Sequence, residues 1–194
     1  YLHDDINNVY KQYYDTDTNV LNTEVVNTYF NLHMLQTDFI LMKENVLVKK
    51  YLFINESTID LDTKFYIHSG LLTDQNNMVC SKIVDVGMLQ YAHDFSVSTF
   101  AKGYDIEKHQ INGSKNTIKR GEIQDKDYIG MSADCSVCYD IGIIKPGEKK
   151  EIYICVLVGE NSNLSDLEDE IDRIKRIDFA KEYVSVKSYW RKYV

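Results

Sequence analysis

The fold turns on one stretch, CSVCYDIGII (135–144), KPGE (145–148), KKEIYICVLV (149–158). Two runs rich in β-branched residues, cysteine and tyrosine flank a tetrapeptide in which proline is followed by glycine. Such runs favour a pleated, half-buried surface. Proline presets the backbone of the first central turn position, and glycine accepts the positive φ of the second. Two strands joined by a tight turn, with no room for a helix between them, belong to an antiparallel architecture.

The same grammar extends outward. DFILMK (38–43) and VLVKKYLFI (46–54) flank Glu44-Asn45 and predict a hairpin. In IDLDTKFYIHS (59–69), Ile59, Leu61, Phe65 and Ile67 alternate with Asp60, Asp62, Lys64, Tyr66 and His68, the pattern of a strand with one face covered. KHQI-NG-SKNTI (108–118) carries Asn112-Gly113, a strong hairpin signal, and predicts strands on both sides of it. Residues 1–160 are therefore expected to form an all-β, antiparallel sandwich. Leu61, Phe65, Ile67, Ile152, Ile154 and Val156 are expected to point inward.

After Gly159 the period changes. Ser165-x-x-Glu168 is a capping-box signature, acidic residues crowd the first turn, and Arg173, Lys175 and Arg176 follow, as a helix dipole favours. Leu167, Ile171, Ile174 and Ile177 line one face. Phe179, Tyr183, Val186, Trp190 and Val194 form a second stripe. Residues 161–194 thus predict one amphipathic helix, or two with a break near Asp178. The stripe has two possible destinations, the sandwich itself or another body, and Trp190, the single indole, sits near its end.

Composition narrows function. A net charge of −8 opposes nucleic acid or an anionic membrane as partner, because both reward clustered Lys and Arg. No apolar run reaches the length of a membrane helix. Cys135 and Cys138 form a lone CxxC, but residues three apart on a strand face opposite ways, so neither a shared metal nor a mutual disulfide is expected. Free thiols fit a reducing, cytoplasmic compartment. The carboxylate pairs Asp4/Asp5, Asp15/Asp17, Asp60/Asp62 and Asp125/Asp127 lie in polar contexts, whereas acid–base work needs pKa values driven apart by burial. His3, His33, His68, His93 and His109 match no ligand spacing. Tyr51, Tyr66, Tyr91 and Tyr153 offer flat faces of the kind sugars stack on, and are equally what strands prefer. No catalytic residue, cofactor or metal site is predicted.

VLVKKYLFINES (46–57), FYIHSGLL (65–72), MLQYAHD (88–94), residues 126–154 and the terminal IKRIDFAKEYVSVKSYWRKYV (174–194) together resemble the N-terminal region of bacterial glucoamylase-like proteins of glycoside hydrolase family 15. The resemblance rests on order: a strand ending Phe-Ile-Asn, another ending His-Ser, the Pro-Gly-Glu turn, and the Trp-Arg ending. It implies a supersandwich, galactose-mutarotase-like domain whose first strands are missing here, then a helical linker toward an absent (α/α)6 catalytic domain. Members of that family cleave α-linked glucans or oligosaccharides with inversion, using one carboxylic acid and one carboxylate, and no residue of this chain takes either role.

The resemblance implies a non-catalytic domain that braces the catalytic barrel, with Phe179, Tyr183, Val186 and Trp190 as the interdomain contact. A stand-alone carbohydrate-binding module would instead need an exposed row of aromatics. A structural or assembly sandwich would show concentration-dependent oligomers without sugar binding.

Overall fold

The computed structural model describes residues 5–71, 79–84, 87–92, 95–160 and 164–193. Eleven strands and three helices are described in chain order. They are β1 (Asn8–Tyr14), β2 (Leu21–Asn27), β3 (Leu32–Ile40), β4 (Val46–Asn55), β5 (Leu61–Gly70), β6 (Cys80–Val84), β7 (Gly87–Ala92), β8 (Phe95–Lys102) and β9 (Ile106–Ile111). After these come α1 (Ser114–Ile118), β10 (Asp134–Ile144), β11 (Lys149–Glu160), α2 (Leu164–Lys175) and α3 (Phe179–Trp190). The chain is an all-β antiparallel sandwich with a short helical C-terminal segment.

Two compact units divide it. The first comprises Tyr1–Thr63, Gly142–Cys155 and Arg176–Val194, the second Lys64–Ile141 and Val156–Lys175. In the first unit the strands follow the order β1-β2-β3-β4-β11. The Glu44-Asn45 turn does close a hairpin: Phe39 pairs with Val48 and Ile40 with Leu47. Val25, Met34 and Phe53 occupy one row of this sheet and are all buried. Asn55, wholly buried, donates its side-chain amide to the Ile59 and Ile144 carbonyls at 2.8 and 2.7 Å. An unpaired buried amide would be costly, so these bonds fix where β4 ends. At Lys145–Glu148 the chain turns with Gly147 at φ 77°, and the Glu148 N–H donates to the Lys145 carbonyl at 2.9 Å. Positive φ is what glycine supplies there.

In the second unit β8-β7-β6 continue from the end of β11, and β5-β10-β9 form a separate sheet. Gln90 on β7 is buried and joins the two layers. It accepts from the Ser69 hydroxyl on β5 and donates to the Ser81 hydroxyl and to the Ala133 carbonyl just ahead of β10. Phe65, Met88, Phe100, Val137, Tyr139 and Leu157 supply the apolar core. Gly87 sits where a Cβ would lie 2.2 Å from the Thr99 carbonyl oxygen, so no larger residue fits between β7 and β8.

Three sequence expectations need correction. Asn112 and Gly113 do take positive φ, 65° and 73°, as a tight hairpin turn requires, but SKNTI is the short helix α1 and not a returning strand. The partner of β9 is β10, with Cys135 opposite Ile111. Ser114 and Thr117 instead close a local turn, since the Thr117 hydroxyl donates to the Ser114 carbonyl. Ile59 is 63 % exposed, because it precedes β5 and follows a loop held by Asn55; of the β5 set only Phe65 is fully buried, while Leu61 and Ile67 are half-buried. On β11, Ile152 and Ile154 are buried as expected, but then Cys155 and Leu157 are buried and Val156 is not. Two consecutive buried residues on a strand require cover on both faces, a condition that strict alternation does not foresee.

The break near Asp178 is present. Asp178 caps α3, its carboxylate accepting from the Lys181 N–H at 3.1 Å. Leu167, Ile171 and Ile174 of α2 are buried, whereas the side chain of Ser165, half of the anticipated capping box, lies outside the described residues. Among the described residues no helix is long and apolar enough to cross a membrane.

Candidate functional site: the docked C-terminal helix

The aromatic stripe lies on the first unit's sheet. Phe179, in the first turn of α3, is 3 % exposed and its ring lies 5.4 Å from that of Tyr153 on β11. Tyr153 in turn receives the Lys50 ammonium, 5.4 Å from its centroid, and Lys50 pairs with Glu151 at 2.7 Å. One turn along, Tyr183 meets Phe39 of β3 edge-on at 5.5 Å. Val186 is completely buried. A spacing of four, then three residues returns side chains to one face of a helix, and here that face lies against the sheet.

An ionic latch reinforces this packing. Asp15, in the turn between β1 and β2, accepts from Lys187 and lies 3.8 Å from Arg191, while the Tyr183 hydroxyl donates to it at 3.5 Å. The hydrogen bond from Lys187 is the main reason that the Asp15 carboxyl titrates below the usual carboxylate range, and Asp15 holds Lys187 above the usual lysine range. The Lys187 ammonium also lies 5.0 Å from the Tyr183 ring centroid. Asp15 was legible only as half of an acidic pair; its cations are 172 and 176 residues away in sequence, a distance that no local pattern bridges.

Of the five stripe residues, then, Phe179 and Val186 are buried within this chain, Tyr183 and Trp190 are half-buried, and Val194 lies outside the described residues. Trp190 has a T-shaped contact with Tyr189 at 5.8 Å, and the Tyr189 and Tyr193 rings meet at a tilt, 4.8 Å between centroids. Tyr189 and Tyr193 are 40 % and 72 % exposed, so the end of α3 presents an aromatic cluster to its outside. A shallow groove beside it is lined by Met42, Lys43, Glu182, Ser185, Ser188 and Lys192 together with Tyr189.

Among the described residues, one further cluster brings a hydroxyl, a carboxylate and an imidazole together. In the second unit Asp134 accepts from Ser114 and lies 3.0 Å from His68 Nε2, and Ser136 donates to Ser114 at 2.8 Å. This is not a nucleophile–base relay, because Asp134 stands between the hydroxyl and the imidazole, where a relay needs the imidazole between. Among the described residues, the carboxyls that depart clearly from their ordinary pKa are shifted downward: Asp5 by the Asn7 backbone, Asp15 by Lys187, Glu107 by Lys64, and Asp134, against its burial, by Ser114, Lys115 and His68. A general acid at neutral pH needs the opposite shift. Among the described residues no group of three or more His, Cys, Asp or Glu is placed to hold a metal. Cys135 and Cys138 are free and buried; burial pushes their thiols up to about 12 and about 11.

The tyrosines singled out for sugar stacking are partly committed elsewhere. Tyr153 is packed as above, the Tyr66 hydroxyl donates to the Gly121 carbonyl at 2.9 Å, and burial holds the Tyr51 phenol well above its usual range. Three exposed rings lie on β1, where Tyr10 and Tyr14 share one face and Tyr13 takes the other. NVYKQYY reads as a strand like its neighbours, and only its place at the sheet edge exposes it.

The class this architecture defines is an antiparallel sandwich followed by helices that fold back on it. No family model matches the sequence, and no curated protein matches it. Solved structures share the fold. A bacterial glucoamylase complexed with acarbose superposes with a TM-score of 0.67 at 12 % identity, covering 97 % of this chain. A putative kojibiose phosphorylase from the human microbiome does so with a TM-score of 0.62 at 14 % identity, covering 93 %. The chain spans only 29 % and 24 % of the length of those two structures.

Proposed function

We propose that this chain is a non-catalytic sandwich domain of a glucoamylase-type glycoside hydrolase or related phosphorylase acting on α-linked glucans or oligosaccharides. In this reading residues 1–160 are the sandwich, 161–194 the helical linker, and the partner is an (α/α)6 catalytic domain of the same chain, in the cytoplasm. The observation that carries it is the near-complete coverage of this chain by one part of two much longer carbohydrate-active proteins. The downward-shifted carboxyls support the non-catalytic role. The exposed Tyr189–Trp190–Tyr193 cluster supports a contact at the outer end of α3, with Tyr183 and Trp190 each keeping surface for it. Phe179 and Val186 serve that contact indirectly, by fixing the helix to the sheet.

Two assays test this. Maltooligosaccharides incubated with the purified chain, with and without inorganic phosphate, should release neither glucose nor glucose phosphate; turnover abolished by changing one carboxylate of this chain would refute the non-catalytic role. A second reading, a carbohydrate-binding module, is favoured by Tyr10, Tyr13 and Tyr14, which are 48 %, 37 % and 67 % exposed. Saturable binding of maltoheptaose, lost in Tyr10→Ala/Tyr14→Ala, would select it.

A further inference from the structure

The acidic pair Asp125/Asp127 has a use that bracing a catalytic domain does not explain. His109, on β9, has its Nδ1 3.3 Å from Asp125 Oδ1 and its Nε2 3.0 Å from Asp127 Oδ1. A neutral imidazole carries one N–H and one lone pair. In that form one nitrogen would donate and the other would turn its lone pair toward a carboxylate oxygen. The Nε2–Asp127 contact is a hydrogen bond and the Nδ1–Asp125 contact an ion-pair distance, and only the imidazolium is attracted to both carboxylates. Both contacts are therefore favourable in one protonation state alone.

The clasp holds a particular segment. The Lys126 N–H donates to the His109 carbonyl and the Ile111 N–H to the Lys126 carbonyl, both at 3.0 Å, so Lys126 lies beside β9 as a one-residue parallel bridge with Gln110. Asp125, which takes the left-handed conformation at φ 52°, also accepts from the His109 backbone N–H at 3.3 Å. A non-glycine residue there is strained and needs surrounding contacts to hold it. Upstream, Ile123 is buried and the Gln124 N–H donates to Gln110, independently of any titration. Downstream, Tyr128, Ile129 and Met131 are 40 %, 101 % and 60 % exposed, so residues 125–131 have the ring and its backbone as their main tether. The charged neighbours in sequence are Lys126 between the two carboxylates and, on β9, Lys108, which strand alternation turns to the other face from the ring, and Glu107, which is engaged by Lys64 and Cys138. The residue opposite on β10 is Val137, which carries no charge.

We infer that His109, gripped by Asp125 and Asp127, is a protonation-dependent clasp that pins the 125–131 segment to β9 and releases it as the ring gives up its second proton.

Amide hydrogen exchange across pH 5.5 to 8.5, corrected for intrinsic rates, reads this directly. The Lys126 and Ile111 amides should lose about fivefold in protection toward high pH, the scale of a partly exposed ion pair, while amides of β3 and β4 keep theirs. In His109→Gln the dependence should vanish. In Asp125→Asn/Asp127→Asn, which keeps the imidazole and removes both charges, it should vanish as well. A flat profile in the native protein, or a profile that survives in either variant, would overturn the clasp. None of these outcomes bears on whether the chain has a catalytic partner.

Discussion

Val186 and Val184 are two residues apart on α3, and the structure gives them opposite fates: Val186 is fully buried and Val184 is 61 % exposed. Truncating each to alanine removes the same two carbons. At Val186 the lost transfer term is about 0.8 kcal/mol per carbon, and the cavity left behind adds to it, for a total of roughly 2–3 kcal/mol. At Val184 little apolar surface returns to water, alanine is the better helix former, and the change should stay within about 0.5 kcal/mol of zero. Urea unfolding monitored through Trp190 fluorescence reports on this helix, because the protein has one tryptophan and it lies at the end of α3. The expected result is a clearly lower midpoint for Val186→Ala with an unchanged slope, and a native-like midpoint for Val184→Ala. Equal losses, or a larger loss at Val184, would refute the docking of this helix face on the sheet.

Further outcomes follow from the same geometry. Asp15 is held below the ordinary carboxylate range by Lys187; its contribution is therefore present above the unfolded value near 4 and lost as pH falls through the folded one. Asp15→Asn should remove that acid-sensitive component from α3 docking, at a cost of about 1 kcal/mol or less near neutral pH; an unchanged acid titration of Trp190 fluorescence would count against the latch. Gly87→Ala should destabilise by roughly 1–3 kcal/mol through overpacking, since its Cβ would meet backbone at 2.2 Å; a melting temperature equal to the native one would show that β7 and β8 can part there. Under native conditions at pH 8 an aromatic disulfide reagent should titrate Cys80 quickly, while Cys135, Cys138 and Cys155 wait for unfolding, because only Cys80 is partly exposed. Four fast thiols would contradict the burial of β10 and β11.

Much of the fold was legible because local rules and burial agreed. The Glu44-Asn45 turn, the Pro146-Gly147 turn and the Asp178 break each combine a backbone preference with an interruption of the hydrophobic pattern, and all three are where the pattern puts them. The misreadings came where tertiary partners decided. Asn112-Gly113 sets a turn, but whether a strand or a helix follows depends on β10 already lying beside β9. Val156 is half-buried where burial along β11 passes from the face of Ile152 and Ile154 to the face of Cys155 and Leu157. The docking side of α3 was visible in the spacing of Phe179, Tyr183 and Val186, yet its targets, Phe39, Tyr153 and Asp15, are distant in sequence. His109 showed no ligand spacing for the same reason: its carboxylates are 16 and 18 residues further on and return by a loop.

Phe179 and Val186 fix α3 to the first unit's sheet, and the proposed role of its outer aromatic end is to meet a catalytic domain. Acrylamide quenching of Trp190, measured on residues 1–194 and on the same chain extended through the reading frame beyond Val194, tests it most directly. Partial accessibility is expected in the first and strong protection in the second. Equal quenching in both would contradict it.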